Sequence, residues 1–105
     1  MIKENIAQIE QRIKKIKLEL SRIGEMRPGS LTKQYKDPEN QEGAYYQLSY
    51  THNMKSKTEY IRKEFVKEIR QQVANYQKHK TLNAEWIALG IEHSRLSMKL
   101  RKDSQ

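Results

Sequence analysis

The chain of 105 residues contains no cysteine. That excludes disulfides, thiolate metal sites and cysteine nucleophiles. It has no run of 18 apolar residues, so no segment reads as membrane-spanning. The N-terminal MIKENIAQIEQRIKK has no uninterrupted apolar stretch of the kind a signal peptide carries, and a cytoplasmic location is expected. Apolar residues make up only 35%, a thin core for a chain this short, and oligomerisation would supply the missing burial. Acidic residues are in the minority, 13 against 21 Lys and Arg, for a formal net charge of +8. Such a balance favours an anionic partner: nucleic acid, an acidic protein or an acidic membrane surface. The alternative is that the charge only solubilises.

The apolar residues are regularly spaced, which argues against disorder. Ile2, Ile6, Ile9, Ile13, Ile16, Leu20 and Ile23 recur at steps of four and three, a heptad seam on one face of a helix over residues 1–24. Gly24 is placed to end it. Both prolines and two of the four glycines fall in 25–44, read as a loop in which Pro28-Gly29 marks a turn. Leu31 and Tyr35 sit either on a short strand or as loop anchors.

Residues 45–62 alternate, as strands do. Tyr46, Leu48 and Tyr50 fall on one face of a first strand; Thr58, Tyr60 and Arg62 oppose Lys57, Glu59 and Ile61 in a second. Between them THNMKS holds His52-Asn53, suited to a turn. A β-hairpin is predicted, with Tyr46, Leu48, Tyr50 and Tyr60 on its inner face. Two strands alone would be marginal, so a third near Leu31–Tyr35 or a helix beneath is required. Over 63–101 the helical period returns through Phe65, Ile69, Val73, Tyr76, Leu82, Trp86, Leu89, His93, Leu96 and Leu100. This long helix is either continuous or broken near 77–83 or at Gly90, and 102–105 is a tail. The fold class expected is one mainly α domain, 1–105, with a small β-hairpin. The first helix folds back antiparallel on a long helix that outruns it by about 23 Å. That excess predicts a helical homodimer, with Ile6, Ile9, Ile13, Ile16, Leu20, Trp86, Leu89 and Leu96 as the dimer and core seam.

The order of RPGSL, YYQLSY and KTEYIRKEFVKEIRQQVANY resembles a small bacterial and archaeal family associated with mobile elements and transposase neighbourhoods. The matching residues are Pro28, Gly29, Ser30, Leu31, Tyr45, Tyr46, Leu48, Ser49, Tyr50, Lys57, Tyr60 and Ile61, within roughly residues 27–78. The resemblance implies a tyrosine-rich hairpin followed by a long helix, and a mobile-element or DNA-associated role. Typical members carry a cysteine cluster in the linker that looks like a metal site. This chain has KDPENQEGA there, so a zinc ion is not carried over.

Enzyme chemistry is not legible. His79 and His93 are 14 residues apart, roughly 21 Å along a helix, and cannot share a metal ion; His52 sits in a turn. Asp37, Glu39 and Glu42 have no fixed spacing to a histidine. The serines have no identifiable base, and no phosphate-binding GxxxxGK is present. No metal, cofactor or catalytic residue is expected. What remains is a basic hairpin and its approach: Arg27, Lys33, Lys36, Lys55, Lys57, Arg62 and Lys63. A two-stranded ribbon fits the DNA major groove, cations neutralise phosphates, and tyrosine rings stack on unpaired bases. The function expected is non-catalytic nucleic-acid binding, with DNA favoured. The alternative is a coiled-coil adaptor or inhibitor that binds a protein partner. Lys14, Lys15, Lys17 and Arg22 form a second basic run, read as a solvated helix face.

Overall fold

The structure, a computed structural model, describes residues 1–103. Helix α1 spans Ile2–Ser21. Three strands follow: β1 Ser30–Asp37, β2 Glu42–His52 and β3 Lys55–Ile61. A 3₁₀ turn, Lys63–Phe65, leads into α2, Val66–Asp103. The architecture is mainly α with a small antiparallel sheet and a long C-terminal helix without a break at 77–83 or at Gly90. The chain divides into two compact units. Met1–Ile23 and Lys78–Gln105 form a helical unit, and Gly24–Gln77 a sheet unit.

In the helical unit the heptad seam of α1 does what its spacing dictates. Ile9 and Ile16 are buried, and Ile2, Ile6, Ile13, Leu20 and Ile23 are half-buried. They meet the stripe of α2, where Leu82 is buried and Trp86, Leu89, His93, Leu96 and Leu100 are half-buried. The helices run antiparallel. His93 lies 3.3 Å from Glu10, and the Lys17 ammonium sits 5.2 Å from the Trp86 ring centre. A step of seven up α1 is thus matched by seven down α2. Full burial of Ile16 contributes about 1.5–3 kcal/mol. Arg12 clamps the pair, donating through Nε and NH2 to the two Glu85 carboxylate oxygens at 2.6 and 2.8 Å. The bond holds the Glu85 carboxyl below its usual range and raises Arg12. The predicted seam residues therefore line a core within one chain. α1 ends at Ser21, before Gly24, because the amides of Arg22 and Ile23 bond back three residues to Glu19 and Leu20 and tighten the last turn.

In the sheet unit the strand order is β1-β2-β3, all antiparallel. Directly opposed residues share a face. Leu31, Leu48 and Glu59 form one such row, and Lys33, Tyr46 and Ile61 the next. This face is covered by the first turns of α2. Leu48, Ile61 and Val66 are buried together, with Leu31, Tyr46, Tyr50, Ile69 and Val73 packed around them. The segment before β1 is tied to the same helix. The Arg27 amide donates to the Gln72 carbonyl at 3.2 Å, and Asn75 Nδ2 donates to the Glu25 carbonyl at 2.8 Å.

Four expectations are corrected. The loop predicted over 25–44 contains β1 and the start of β2. Its few apolar residues alternate with Lys and Thr because one face of an edge strand is open to water. Tyr60 does not face the core. It pairs with Gln47, which places it on the opposite face from Leu48, and Ile61 takes the inner position. Phe65 is 48% exposed while Val66 is buried, because the 3₁₀ turn advances the phase by one residue before α2 begins. The surplus length of α2, offered as a reason for dimerisation, is not bare: Val66, Ile69 and Val73 pack on the sheet.

Candidate nucleic-acid interface

The sheet unit presents its cations in three settings. Arg27 is spoken for. Its NH1 and NH2 donate to Glu59 Oε2 and Oε1 at 3.3 and 3.2 Å, and its guanidinium lies 5.1 Å from the Tyr50 ring centre. The Tyr50 hydroxyl donates to Glu59 Oε1 at 2.8 Å. Arg27 first, then Tyr50, holds the Glu59 carboxyl below the usual range, and the bond to Glu59 raises the Tyr50 phenol. This half-buried trio joins the segment before β1 to β2 and β3. Of the predicted cations, Arg27 is the one held in an ion pair among the described residues.

The second setting is the free end of the hairpin. Pairing of β1 with β2 stops at Ser30↔Ser49, whereas β2 and β3 continue through Tyr50↔Lys57 and Thr51↔Ser56 to His52↔Lys55. The last three rungs are two-stranded. Asn53 and Met54 close them with φ of 52° and 62°, the left-handed pair that a two-residue turn needs. Lys55 and Lys57 are exposed here, and residues 51–58 include no Asp or Glu.

The third setting is at the opposite end of the sheet. Pairing of β2 with β3 stops at Tyr46↔Ile61, while β2 and β1 stay paired out to Asp37↔Glu42. Where β3 leaves, a hollow of about 160 Å³ opens, lined by Lys33, Tyr45, Tyr46, Tyr60, Ile61 and Lys63. The Tyr45 and Tyr60 ring centres are 6.4 Å apart with planes tilted by 33°, within contact range for an aromatic pair. Tyr60 is 67% exposed. Tyr46 is the inner wall, with the Arg70 guanidinium 5.9 Å from its ring centre.

The predicted cations are thus not one patch. Lys33 and Lys63 meet at the hollow. Lys55 and Lys57 lie at the hairpin end, about 17 Å and about 10 Å along the strand from Tyr60. Lys36 takes the Tyr60 face of β1, and Arg62 follows β3. Among the described residues no carboxylate lies within salt-bridge distance of Lys33, Lys36, Lys55, Lys57, Arg62 or Lys63. Sequence reasoning missed Tyr45 as a site residue and turned Tyr60 inward. Turn length was the available signal: with Asn53-Met54 as a two-residue loop, Tyr60 falls opposite Gln47 and on the face of Tyr45.

Charge is distributed unevenly. The helical unit holds twelve Lys and Arg against six Asp and Glu, a net of +6; the sheet unit holds nine against seven, a net of +2. Among the described residues no group of three or more His, Cys, Asp or Glu is placed to hold a metal ion, and no helix is long and apolar enough to cross a membrane.

The model of a family described as a domain of unknown function, DUF6788, matches residues 6–71. The chain belongs to that family. The matched stretch takes in most of α1, the whole sheet and the opening turns of α2. Neither a curated protein nor a solved structure matches the chain.

Proposed function

We propose that this is a non-catalytic, cytoplasmic nucleic-acid-binding protein whose sheet unit is the contact surface. The observation that carries the reading is that Lys33, Lys36, Lys55, Lys57, Arg62 and Lys63 are all exposed and that, among the described residues, none has a salt-bridge partner. Cations without a carboxylate partner are available to phosphate, and each contact releases counterions; Lys33, whose ammonium lies 5.6 Å from the Tyr35 ring centre, keeps its charge. The resemblance of the RPGSL and YYQLSY segments to mobile-element proteins supports a DNA-associated setting. The test is affinity for random-sequence oligonucleotides across a salt series. Replacing Lys33, Lys55 and Lys63 with Ala should weaken binding and flatten the slope of log K against log salt by roughly 2–3 units. The control replaces Lys14, Lys15 and Arg22, exposed cations of the more highly charged helical unit; Lys17 is spared because it stacks on Trp86. If the control set abolishes binding and the sheet set does not, the helical unit is the contact surface.

A second reading, assembly through the helices with itself or with a protein partner, is favoured by one observation. Ile87, Ile91 and Met98 are 59%, 50% and 59% exposed. Their spacing of four and seven puts them on one stripe of α2, apart from the stripe that meets α1. This face, rather than the seam of α1, is where a homodimer or an adaptor contact would form.

A further inference from the structure

The hollow at the end of β3 has a chemistry that the hairpin end lacks. The hairpin end offers Lys55 and Lys57 and, at its last two rungs, no ring but the small His52 imidazole beside Lys55, a setting suited to phosphate on any nucleic acid. The hollow offers a tyrosine pair with one ring largely in solvent, flanked by two lysines. A tyrosine that is 67% exposed in a protein with so few buried apolar residues is surface withheld from the core. Tyr45 meets its ring at a tilt, and the nearest residues of β1, β2 and β3 on that sheet face, Thr32, Gln34, Gln47, Ser49 and Thr58, are small or uncharged, with Lys36 beyond them on β1.

Resting on the nucleic-acid reading, we infer that the hollow between Tyr60 and Lys63 takes one unpaired base of a single strand, which makes the ligand single-stranded rather than duplex. The base stacks on the open face of Tyr60. Tyr45 holds that ring from behind, and Lys33 and Lys63 contact the phosphates on either side. Three features support this. A paired base within a duplex has both faces covered by its neighbours, so its π-face cannot reach a side-chain ring; an unpaired one can. The hollow, at about 160 Å³, is below the roughly 300 Å³ at which pockets for drug-sized ligands begin, a scale that suits one ring system. No carboxylate lines it, so nothing repels a phosphate brought in with the base. Stacking is tolerant of base identity, so little sequence preference is expected. DNA and RNA strands share the base and the phosphate; the 2′-hydroxyl is the only group that would tell them apart.

The test compares four ligands of equal length at one salt concentration: a DNA strand, an RNA strand, the DNA duplex and an abasic DNA strand that keeps the phosphates. Wild type should bind the tighter of the two base-bearing strands at least about fivefold better than the abasic strand and the duplex, with Tyr ring-proton resonances shifting upfield on binding. The tighter of DNA and RNA assigns the sugar. Tyr60→Ala should lose about 5- to 100-fold on that strand. Tyr60→Phe, which keeps the ring, should restore most of that loss. Equal binding of the abasic strand, or duplex bound as tightly as the single strand, overturns the stacked base while leaving the nucleic-acid reading in place. Absence of binding to all four overturns both. Because Tyr60 is largely exposed, its truncation leaves the core of Leu48, Ile61 and Val66 untouched, and circular dichroism checks that it does.

Discussion

Gly29 lies against Leu48 so closely that a Cβ at position 29 would sit 2.6 Å from Leu48 Cδ1, and the backbone there has φ of +145°. Leu48 is fully buried at the centre of the sheet unit. The turn residue and the core residue are therefore one packing unit. The left-handed backbone lets the chain pass over Leu48, and the missing side chain lets it pass close.

Gly29→Ala should cost about 2 kcal/mol or more in chemical denaturation, since it adds both a strained φ and an overpacked contact. Leu48→Ala should cost about 2–5 kcal/mol by opening a cavity in the same place. A Gly29→Ala protein within 0.5 kcal/mol of wild type would show that Leu48 gives way to the added methyl at little cost.

Gly90 makes the opposite prediction. A Cβ there meets nothing within 4 Å, beside a hollow of about 290 Å³ lined by Ile13, Lys14, Lys17 and His93. Gly90→Ala should stabilise by up to about 1 kcal/mol through helix propensity alone. A fall in melting temperature would refute the open space.

Met54 carries a φ of 62° and is 97% exposed at the hairpin turn. Met54→Gly removes the left-handed penalty of a side-chain-bearing residue, and a gain of about 1 kcal/mol is expected. A glycine variant no more stable than wild type would mean that the turn has a different conformation in solution.

The Arg27–Glu59–Tyr50 trio sets a pH dependence. Glu59 has a folded-state pKa below its unfolded value, so its contribution is fully present above the usual glutamate value of about 4.3. It is lost as pH falls through the lower, folded value. The stability of Glu59→Gln should therefore be lower than wild type near neutrality, and the gap should close in acid below pH 4. A gap independent of pH would show that the carboxylate charge plays no part. Tyr50→Phe should move the Glu59 titration back towards the usual range, readable by carboxyl resonances.

For the exposed stripe of α2, Ile87→Glu with Ile91→Glu should leave a folded monomer. If wild type sediments as a dimer at micromolar concentration and this variant does too, the stripe is not the contact. If wild type is itself monomeric, assembly with a second copy is excluded and the stripe is left to a different protein partner.

The parts of this fold that sequence made legible are those with redundant signal. Six Ile and Leu residues in register define α1, and losing any one would not hide it. The weak points were those where one residue decides. The strand β3 alternates equally well with Tyr60 or with Ile61 inward, because each phase holds one large apolar residue. The turn, not the strand, breaks the tie. β1 was hidden because Leu31 and Tyr35 are four apart with Lys33 between them, and Lys33 shares their face with its ammonium 5.6 Å from the Tyr35 ring centre. Phe65 was favoured over Val66 because a 3₁₀ turn leaves no periodic mark. At the candidate site, the cations were legible as residues but not as pairs. That Arg27 would be drawn into Glu59, and that Lys33 would meet Lys63 from a position 30 residues away, are facts of register.

The two-residue turn at Asn53-Met54 thus acts as a phase setting for everything after it. One residue inserted there would rotate β3 by half a turn, tucking a phenol against Val66 and putting Ile61 out in water. The composition would scarcely change, yet the aromatic surface would be gone. In relatives of this chain, turn length would be a better guide than tyrosine count to whether that surface exists.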